Sequence, residues 1–320
     1  MTRAGALLAE EIRRLGPIPF HRFMDVVLYH PEHGYYRKPR DPFGKSGDFF
    51  TAEQIQPVYG ILIAARIRQL FEQMDRPGDF TIVELGAGRR EMADAFREWR
   101  YIAIDLDSGE LPERFRGVVF ANEFFDALPV HAAIHREGTF RERLVAFRDG
   151  RFVWETGGLC EAKVEHYLKL YFPPPEEGHV YEVNLNALVW MERIAASLES
   201  GFVLTIDYGY TRAESIRFAG GSLMSYWRHT AREDVLEEPG ERDITAHVNF
   251  TALEETGAAL GLRTERFETL ARLLLNVGEA DQFAAALGAT TESEQLRRRM
   301  QLKTLLFGMG ESFRVLLQRR

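Results

Sequence analysis

The stretch Thr81-Ile82-Val83-Glu84-Leu85-Gly86-Ala87-Gly88 limits what this chain can fold into more than any other. β-Favouring residues lead into an acidic residue and a Gly-x-Gly turn, and Arg89 to Trp99 then reads as a helix. A strand that enters a helix through glycines lets the backbone approach a ligand closely, because glycine lacks Cβ and tolerates positive φ. The helix N-terminus beyond it favours negative charge. Units of this shape bind nucleotide-type cofactors, although an isolated Gly-x-Gly is also an ordinary strand-to-helix turn.

The residue identities narrow the choice. A dinucleotide fingerprint carries a third glycine three residues after the second, where this chain has Glu91. Glu84, two residues before Gly86, instead matches the Glu-x-Gly-x-Gly of S-adenosylmethionine-dependent methyltransferases. Its carboxylate is placed to accept a hydrogen bond from the ligand's amino group or to orient the loop. A nicotinamide oxidoreductase is disfavoured on the same ground.

At 320 residues the chain can bury a substantial core, as one large domain or a core with a smaller lobe. Its 45% hydrophobic and 28% charged content are those of a soluble globular protein. The formal charge of -8 gives no support for broad nucleic-acid binding. Cys160 is the only cysteine, which excludes an intrachain disulfide and a cysteine-rich zinc site and fits a reducing compartment. No apolar run reaches the length of a membrane span, and the N-terminus shows neither a signal-peptide nor a transit-peptide pattern. The expectation is a cytoplasmic protein without membrane insertion.

Leu7, Leu8, Ile12 and Leu15 recur at helical spacing, and Gly16-Pro17 stops that helix. A second helix starts near Pro19 and carries Phe20, Phe23, Met24, Val27 and Leu28. In His30-Pro31-Glu32-His33-Gly34-Tyr35-Tyr36, two histidines and a glutamate without a third ligand type read as a packed aromatic turn rather than a metal site. Gly47, Asp48 and Thr51 stand ahead of a helix from about Pro57 to Met74. They read as a turn and cap, or as a polar lip over a cofactor.

Taken in order, these stretches resemble the MidA-like family of methyltransferases, the family of the mitochondrial complex I assembly methyltransferase. The resemblance rests on His30 to Tyr36, Gly47-Asp48-Phe49-Phe50-Thr51-Ala52 and Glu84-Leu85-Gly86-Ala87-Gly88. It continues in Ala121-Asn122-Glu123-Phe124-Phe125-Asp126-Ala127-Leu128-Pro129-Val130, in Gly240-Glu241-Arg242-Asp243-Ile244-Thr245-Ala246-His247-Val248, and in Gly308 to Leu316. These six matches span nearly the whole chain. They imply a Rossmann-like α/β core, a mostly parallel sheet with helices on both faces, that uses S-adenosylmethionine. They also imply a protein substrate, with arginine favoured and a respiratory-complex subunit as a candidate partner. A cofactor-responsive assembly factor or chaperone that transfers no methyl group is the alternative. The chain departs from the family in three places. Arg89-Arg90 stands where Arg-Gly is usual, Leu106 to Gly117 is an abbreviated crossover, and Thr51-Ala52-Glu53-Gln54 replaces Thr-Ala/Ser-Pro-Glu.

Tyr101 to Asp105 reads as the second parallel strand, and an acid at its end is where ribose hydroxyls are held. Asp105 is the candidate, with Asp107 as the alternative. Val118 to Ala121 is a buried strand that delivers Asn122, Glu123 and Asp126 at its carboxyl end, where ligands bind in doubly wound sheets. Methyl transfer is an in-line displacement at a sulfonium methyl, so the protein mainly positions and desolvates the nucleophile. Asn122, Glu123 and Asp126 are the catalytic candidates, since a guanidinium acceptor needs carboxylates matched to its planar fork. His229 and His247 are candidate general bases. Asp243, Thr245, His247 and Asn249 alternate as though on one strand face. The candidate cofactor set is Gly47, Asp48, Thr51, Glu84, Gly86, Gly88, Asp105 and Asn122, and no metal is expected.

From Ala132 to Thr156 polar and apolar residues alternate, broken at Glu137-Gly138 and Asp149-Gly150, which reads as a small antiparallel meander. The expected organisation is a helical N-terminal lobe with its cofactor-lip loop over 1–75. A methyltransferase core follows over 76–320, with a β insertion at about 131–180.

Overall fold

The computed structural model describes residues 1–38, 51–228 and 230–320. The chain forms two compact units, each assembled from three segments. The first comprises Met1–Phe50, Asp126–Leu188 and Tyr210–Thr251, and the second Thr51–Phe125, Val189–Gly209 and Ala252–Arg320.

The first unit opens with α1 (Arg3–Leu15). Thr2 caps it by accepting from the Gly5 N–H at 3.0 Å, and Gly16 stops it with a φ of 86°. Its buried stripe runs through Ala4, Leu8, Ala9 and Ile12, so Leu7 and Leu15 stay exposed. β1 (Ile18–Pro19) leads into α2 (Phe20–Tyr29), which buries Phe20, Phe23, Met24, Val27 and Leu28. The chain then enters the second unit with α3 (Val58–Gln73), β2 (Thr81–Leu85), α4 (Ala93–Phe96), β3 (Arg100–Ile104) and β4 (Phe115–Asn122).

Back in the first unit, β5 (His131–Arg136), β6 (Thr139–Arg148) and β7 (Arg151–Leu159) form the meander expected from the alternating pattern. Its turns fall at Glu137-Gly138 and Asp149-Gly150, and all four residues have positive φ, as primed two-residue hairpins require. After α5 (Ala162–Tyr171), β8 (Val180–Val183) pairs with β5, while β1 pairs with β6. This five-stranded antiparallel sheet packs Val130, Ala132 and Val145 with Phe20, Phe23 and Met24 of α2.

α6 (Leu185–Ser197) begins at Asn184, whose Oδ1 accepts from the Ala187 N–H at 2.9 Å, and runs into β9 (Leu198–Tyr210). β10 (Met224–Trp227), β11 (Thr230–Arg232) and β12 (Asp243–Thr245) make a three-stranded antiparallel sheet. β13 (Val248–Asn249), α7 (Phe250–Ala259), β14 (Arg263–Thr269), α8 (Leu270–Gly278), α9 (Ala284–Leu287), α10 (Glu292–Lys303) and β15 (Phe313–Arg319) complete the chain.

The sheet of the second unit runs in the order β14-β15-β9-β4-β2-β3. β9, β4, β2 and β3 are parallel, and β15 lies antiparallel to both β9 and β14. Ile82, Phe120, Phe202 and Leu204 pack with Tyr59 and Ile63 of α3 and Leu274 of α8 in one apolar core. From β2 the chain steps to β3 on one side and then to β4 on the other. That reversal is a topological switch point, and doubly wound sheets bind ligands beyond the carboxyl ends of the strands at such a point, here β2 and β4.

Two expectations are corrected. The helix read over Arg89 to Trp99 shrinks to the single turn of α4, because Arg90 takes a left-handed φ of 61° that a helix cannot contain. α4 therefore starts five residues beyond Gly88 rather than at the glycine turn. The alternating run from Asp243 to Asn249 is not one strand either: β12 ends at Thr245 and β13 starts at Val248, which leaves His247 in the gap.

Candidate functional site

The glycine turn is stitched to the neighbouring strand: the N–H groups of Gly86 and Ala87 both donate to the Ile104 carbonyl, at 2.9 and 3.1 Å. Gly86 (φ 70°) and Gly88 (φ 46°) are left-handed, and a Cβ on Gly86 would stand 3.0 Å from the Phe124 ring. Only glycine holds this turn without strain.

Glu84 lies in the wholly buried strand β2, with no exposed surface. Tyr101 of β3 donates its hydroxyl to Glu84 Oε2. Oε1 is buried and receives no N–H or O–H donor among the described residues. Glu53, from a 3₁₀ turn over Ala52–Gln54, is also buried. Burial pushes Glu84 up to about 7, opposed by the hydrogen bond from Tyr101. Burial likewise holds the Glu53 carboxyl well above the usual range, with the charges of Glu84 and Glu123 acting in the same direction.

At the end of β4, Asn122 is buried, accepts from the Tyr59 hydroxyl of α3 at 2.6 Å and donates to Glu123 Oε1 at 3.2 Å. Glu123 has a φ of 50°, and its Oε1 accepts from the Ala52 N–H at 3.0 Å. Thr51 starts the same 3₁₀ turn with a capping box to Gln54. Behind them Asp207, fully buried on β9, accepts from the N–H groups of Phe125 and Tyr208 and fixes the chain after Phe124. Asp105 closes β3 half-exposed, accepting from the Leu106 N–H at 2.8 Å in a tight turn bridged to Ser108.

The second unit thus brings Thr51, Glu84, Gly86, Gly88, Asp105, Asn122 and Glu123 to the carboxyl ends of β2, β3 and β4. Gly47, Asp48 and His229 lie outside the described residues. Asp126 and His247 belong to the first unit. There Asp126 is buried and its carbonyl accepts from the Ala246 N–H at 3.0 Å. Nearby Tyr36 donates to Asp243 Oδ1 at 2.8 Å, so three of the motif stretches meet within that unit. Burial lowers the His247 imidazole, whose ring meets Phe218 edge-on at 5.0 Å. The His30 and His33 rings stack at 5.1 Å, and His30 Nδ1 accepts from the backbone N–H groups of Glu32 and His33.

Sequence reasoning missed Glu53, Tyr59 and Tyr101 as site residues. Glu53 carried a signal, since it stands where the Thr-Ala/Ser-Pro-Glu order breaks. Tyr59 carried another, as a hydroxyl within an otherwise apolar helical stretch that needs a buried partner.

These residues fit a cationic nucleoside ligand. A glycine turn with no Cβ admits close backbone approach, a buried carboxylate oxygen awaits a donor, and a half-exposed acid ends the next strand. S-adenosylmethionine, when bound, supplies an electrophilic sulfonium methyl. The chain's own contribution is to hold that ligand and exclude water around it.

Comparison with known proteins agrees. Residues 98–268 match the family described as S-adenosyl-L-methionine-dependent methyltransferase, and the chain belongs to that family. A crystal structure of a Burkholderia thailandensis protein described as a methyl transferase, bound to S-adenosyl-homocysteine, superposes with a TM-score of 0.85 at 30% identity. That superposition covers 99% of this chain and 92% of that one. The Drosophila melanogaster protein named "Protein arginine methyltransferase NDUFAF7 homolog, mitochondrial" is 27% identical over 319 residues, covering 79% of this chain and 70% of the relative. The human "Protein arginine methyltransferase NDUFAF7, mitochondrial" is 27% identical over 309 residues, covering 77% and 67%.

The family resemblance, the methyltransferase fold and the use of S-adenosylmethionine are therefore borne out, and the chain is a methyltransferase. The cytoplasmic expectation is overturned, because these curated relatives are named as mitochondrial proteins. A single cysteine fits any reducing compartment, so it could not have told one from another. No helix among the described residues is long and apolar enough to cross a membrane.

Proposed function

We propose that this methyltransferase transfers the methyl group of S-adenosylmethionine to the guanidinium of an arginine side chain in a protein. The observation that carries the reading is the concentration of carboxyl groups at the switch point. Glu84 lies in β2 and Glu123 directly after β4, and the buried Glu53 carboxyl feels the charges of both. A planar cation is the acceptor that such a site favours, and the curated relatives carry the name of protein arginine methyltransferases.

In this reading Glu84, Gly86, Gly88, Asp105 and Asn122 hold the methyl donor, with Thr51 supporting the turn beside them. Glu123 orients the acceptor. The nitrogen lone pair forms the new N–CH3 bond as the C–S bond breaks, and the proton leaves the nitrogen for a carboxylate or water. A respiratory-complex subunit is one acceptor to test.

The deciding experiment incubates the protein with methyl-labelled S-adenosylmethionine and arginine-rich or lysine-rich peptides, followed by acid hydrolysis and mass spectrometry. Methylarginine from the arginine peptides is the expected result. Label on another residue type alone, from an enzyme that binds S-adenosylhomocysteine, would overturn the acceptor assignment.

A further inference from the structure

Helix α10 turns hydrogen-bonding side chains toward the second unit and apolar ones toward solvent. Thr291 caps it by accepting from the Glu294 N–H at 3.3 Å, and none of its residues is buried. Arg298 donates to the Gly288 carbonyl and to Glu294 Oε1, and Gln301 donates to the Gln56 carbonyl, which ties the helix down. Leu302 packs against the core, whereas Leu296 and Met300 are 62% and 57% exposed. Phe307, in the π-helical turn Thr304–Met309 that continues the helix, is 78% exposed. Their spacing puts these three on one helical face. A short helix draws its stability from burying an apolar face, so one that shows this face to solvent calls for a covering surface.

The same face is basic. Lys303 lies on the stripe between Met300 and Phe307, and Arg297 and Arg299 flank it on either side; all three are exposed. Arg297 comes no closer than 3.7 Å to Glu294, and Arg299 and Lys303 make no ion pair among the described residues. The acids of the helix, Glu292 and Glu294, lie in its first turn. In a chain of formal charge -8, this stripe is a local reversal of sign.

We propose that this face lays α10 flat on an anionic lipid surface. Leu296, Met300 and Phe307 insert at the boundary between headgroups and acyl chains, and Arg297, Arg299 and Lys303 meet the headgroups. A lipid surface requires apolar side chains that insert and cations that match its charge, and no shaped pocket. The Lys303 stem lies along the apolar stripe while its ammonium reaches the headgroups. A second copy of the chain fits this face worse. A two-fold contact centred on Leu296 and Met300 would set Arg297 and Arg299 against their own copies. The negative charge of the chain as a whole opposes indiscriminate adhesion to anionic lipid, so attraction acts through this face. The inference is independent of the cofactor and acceptor assignments.

The test is co-sedimentation of the full chain with vesicles of phosphatidylcholine alone and of phosphatidylcholine with about one-third phosphatidylglycerol. The wild type is expected to bind the anionic vesicles roughly tenfold or more tightly than the neutral ones, and to be released in about 1 M sodium chloride. Arg299→Gln combined with Lys303→Gln should weaken that binding by roughly 10- to 30-fold, the loss of two cations at the surface. Leu296→Ser combined with Phe307→Ser should weaken it by roughly tenfold or more. The replaced side chains are exposed, so both double variants should melt as the wild type does. Wild-type binding to neither vesicle, equal binding to both, or undiminished binding in either double variant would overturn the proposal. Self-association of the wild type in sedimentation velocity that Leu296→Ser with Phe307→Ser abolishes would assign the face to a second copy and overturn it as well.

Discussion

Tyr59 donates to Asn122 Oδ1 at 2.6 Å, fastening helix α3 to the last residue of β4. Asn122 passes the tie on to Glu123, which holds the Ala52 N–H, so the turn ahead of α3 is secured at both ends. Tyr59→Phe removes the donor and leaves a buried amide oxygen without it. The expected cost is about 1–2 kcal/mol in urea unfolding. S-adenosylhomocysteine affinity should fall several-fold because Asn122 loses its fixed orientation.

Glu84 provides a pH signature. Burial raises it from 4.5 to about 7. A group raised on folding stabilises the native state fully below its unfolded value, and that contribution is lost as pH rises through the folded value. Wild-type stability should therefore decline between about pH 4.5 and 7 from this site. Glu84→Gln should flatten that segment of a stability-against-pH curve measured by thermal melts. An unchanged slope would show that Glu84 ionises freely.

Asp105 sits half-exposed in a turn, so its removal should cost little stability. Asp105→Ala is expected to change unfolding free energy by less than about 1 kcal/mol, with loss of one surface turn hydrogen bond. Its affinity for S-adenosylhomocysteine should drop by tenfold or more, on the order of one charge-assisted hydrogen bond to a ribose hydroxyl. Equilibrium titration of the folded variant separates the two effects.

Glu123 should separate turnover from donor binding. Glu123→Gln keeps an oxygen for the Ala52 N–H but loses the charge that the proposed function assigns to the acceptor. Single-turnover methylation of an arginine peptide should slow by roughly 10- to 100-fold, the range for loss of one positioned charge. Donor affinity should stay within about threefold, since the glutamine oxygen keeps the bonds from Ala52 and Asn122. Equal losses in both measurements would contradict an acceptor-side role.

Much of this arrangement was legible in the sequence. The apolar runs of β2 and β4 announced strands covered on both faces, and the glycine pairs after Glu137 and Asp149 announced the hairpins. Other features were not legible, for physical reasons. Nothing in the residue identity of Arg90 encodes its left-handed φ, which cut the expected helix to one turn. The pattern from Asp243 to Asn249 alternates correctly, but alternation does not report that the pairing partners change at Ala246. The charge of Glu84 acts on Glu53, 31 positions away in sequence, through the fold alone. α8, which buries Leu270, Leu273 and Leu274, was not read from the sequence at all.

The most direct measurement is calorimetric titration of S-adenosylmethionine and S-adenosylhomocysteine into the wild type and Gly86→Val, with melting curves to verify folding. Gly86 has a φ of 70° and its Cβ position lies 3.0 Å from Phe124, so a β-branched side chain must distort the turn. The account predicts micromolar binding of both ligands to the wild type and its loss in a folded Gly86→Val. Absence of binding to the folded wild type, or undiminished binding in the variant, would contradict the placement of the methyl donor at this turn.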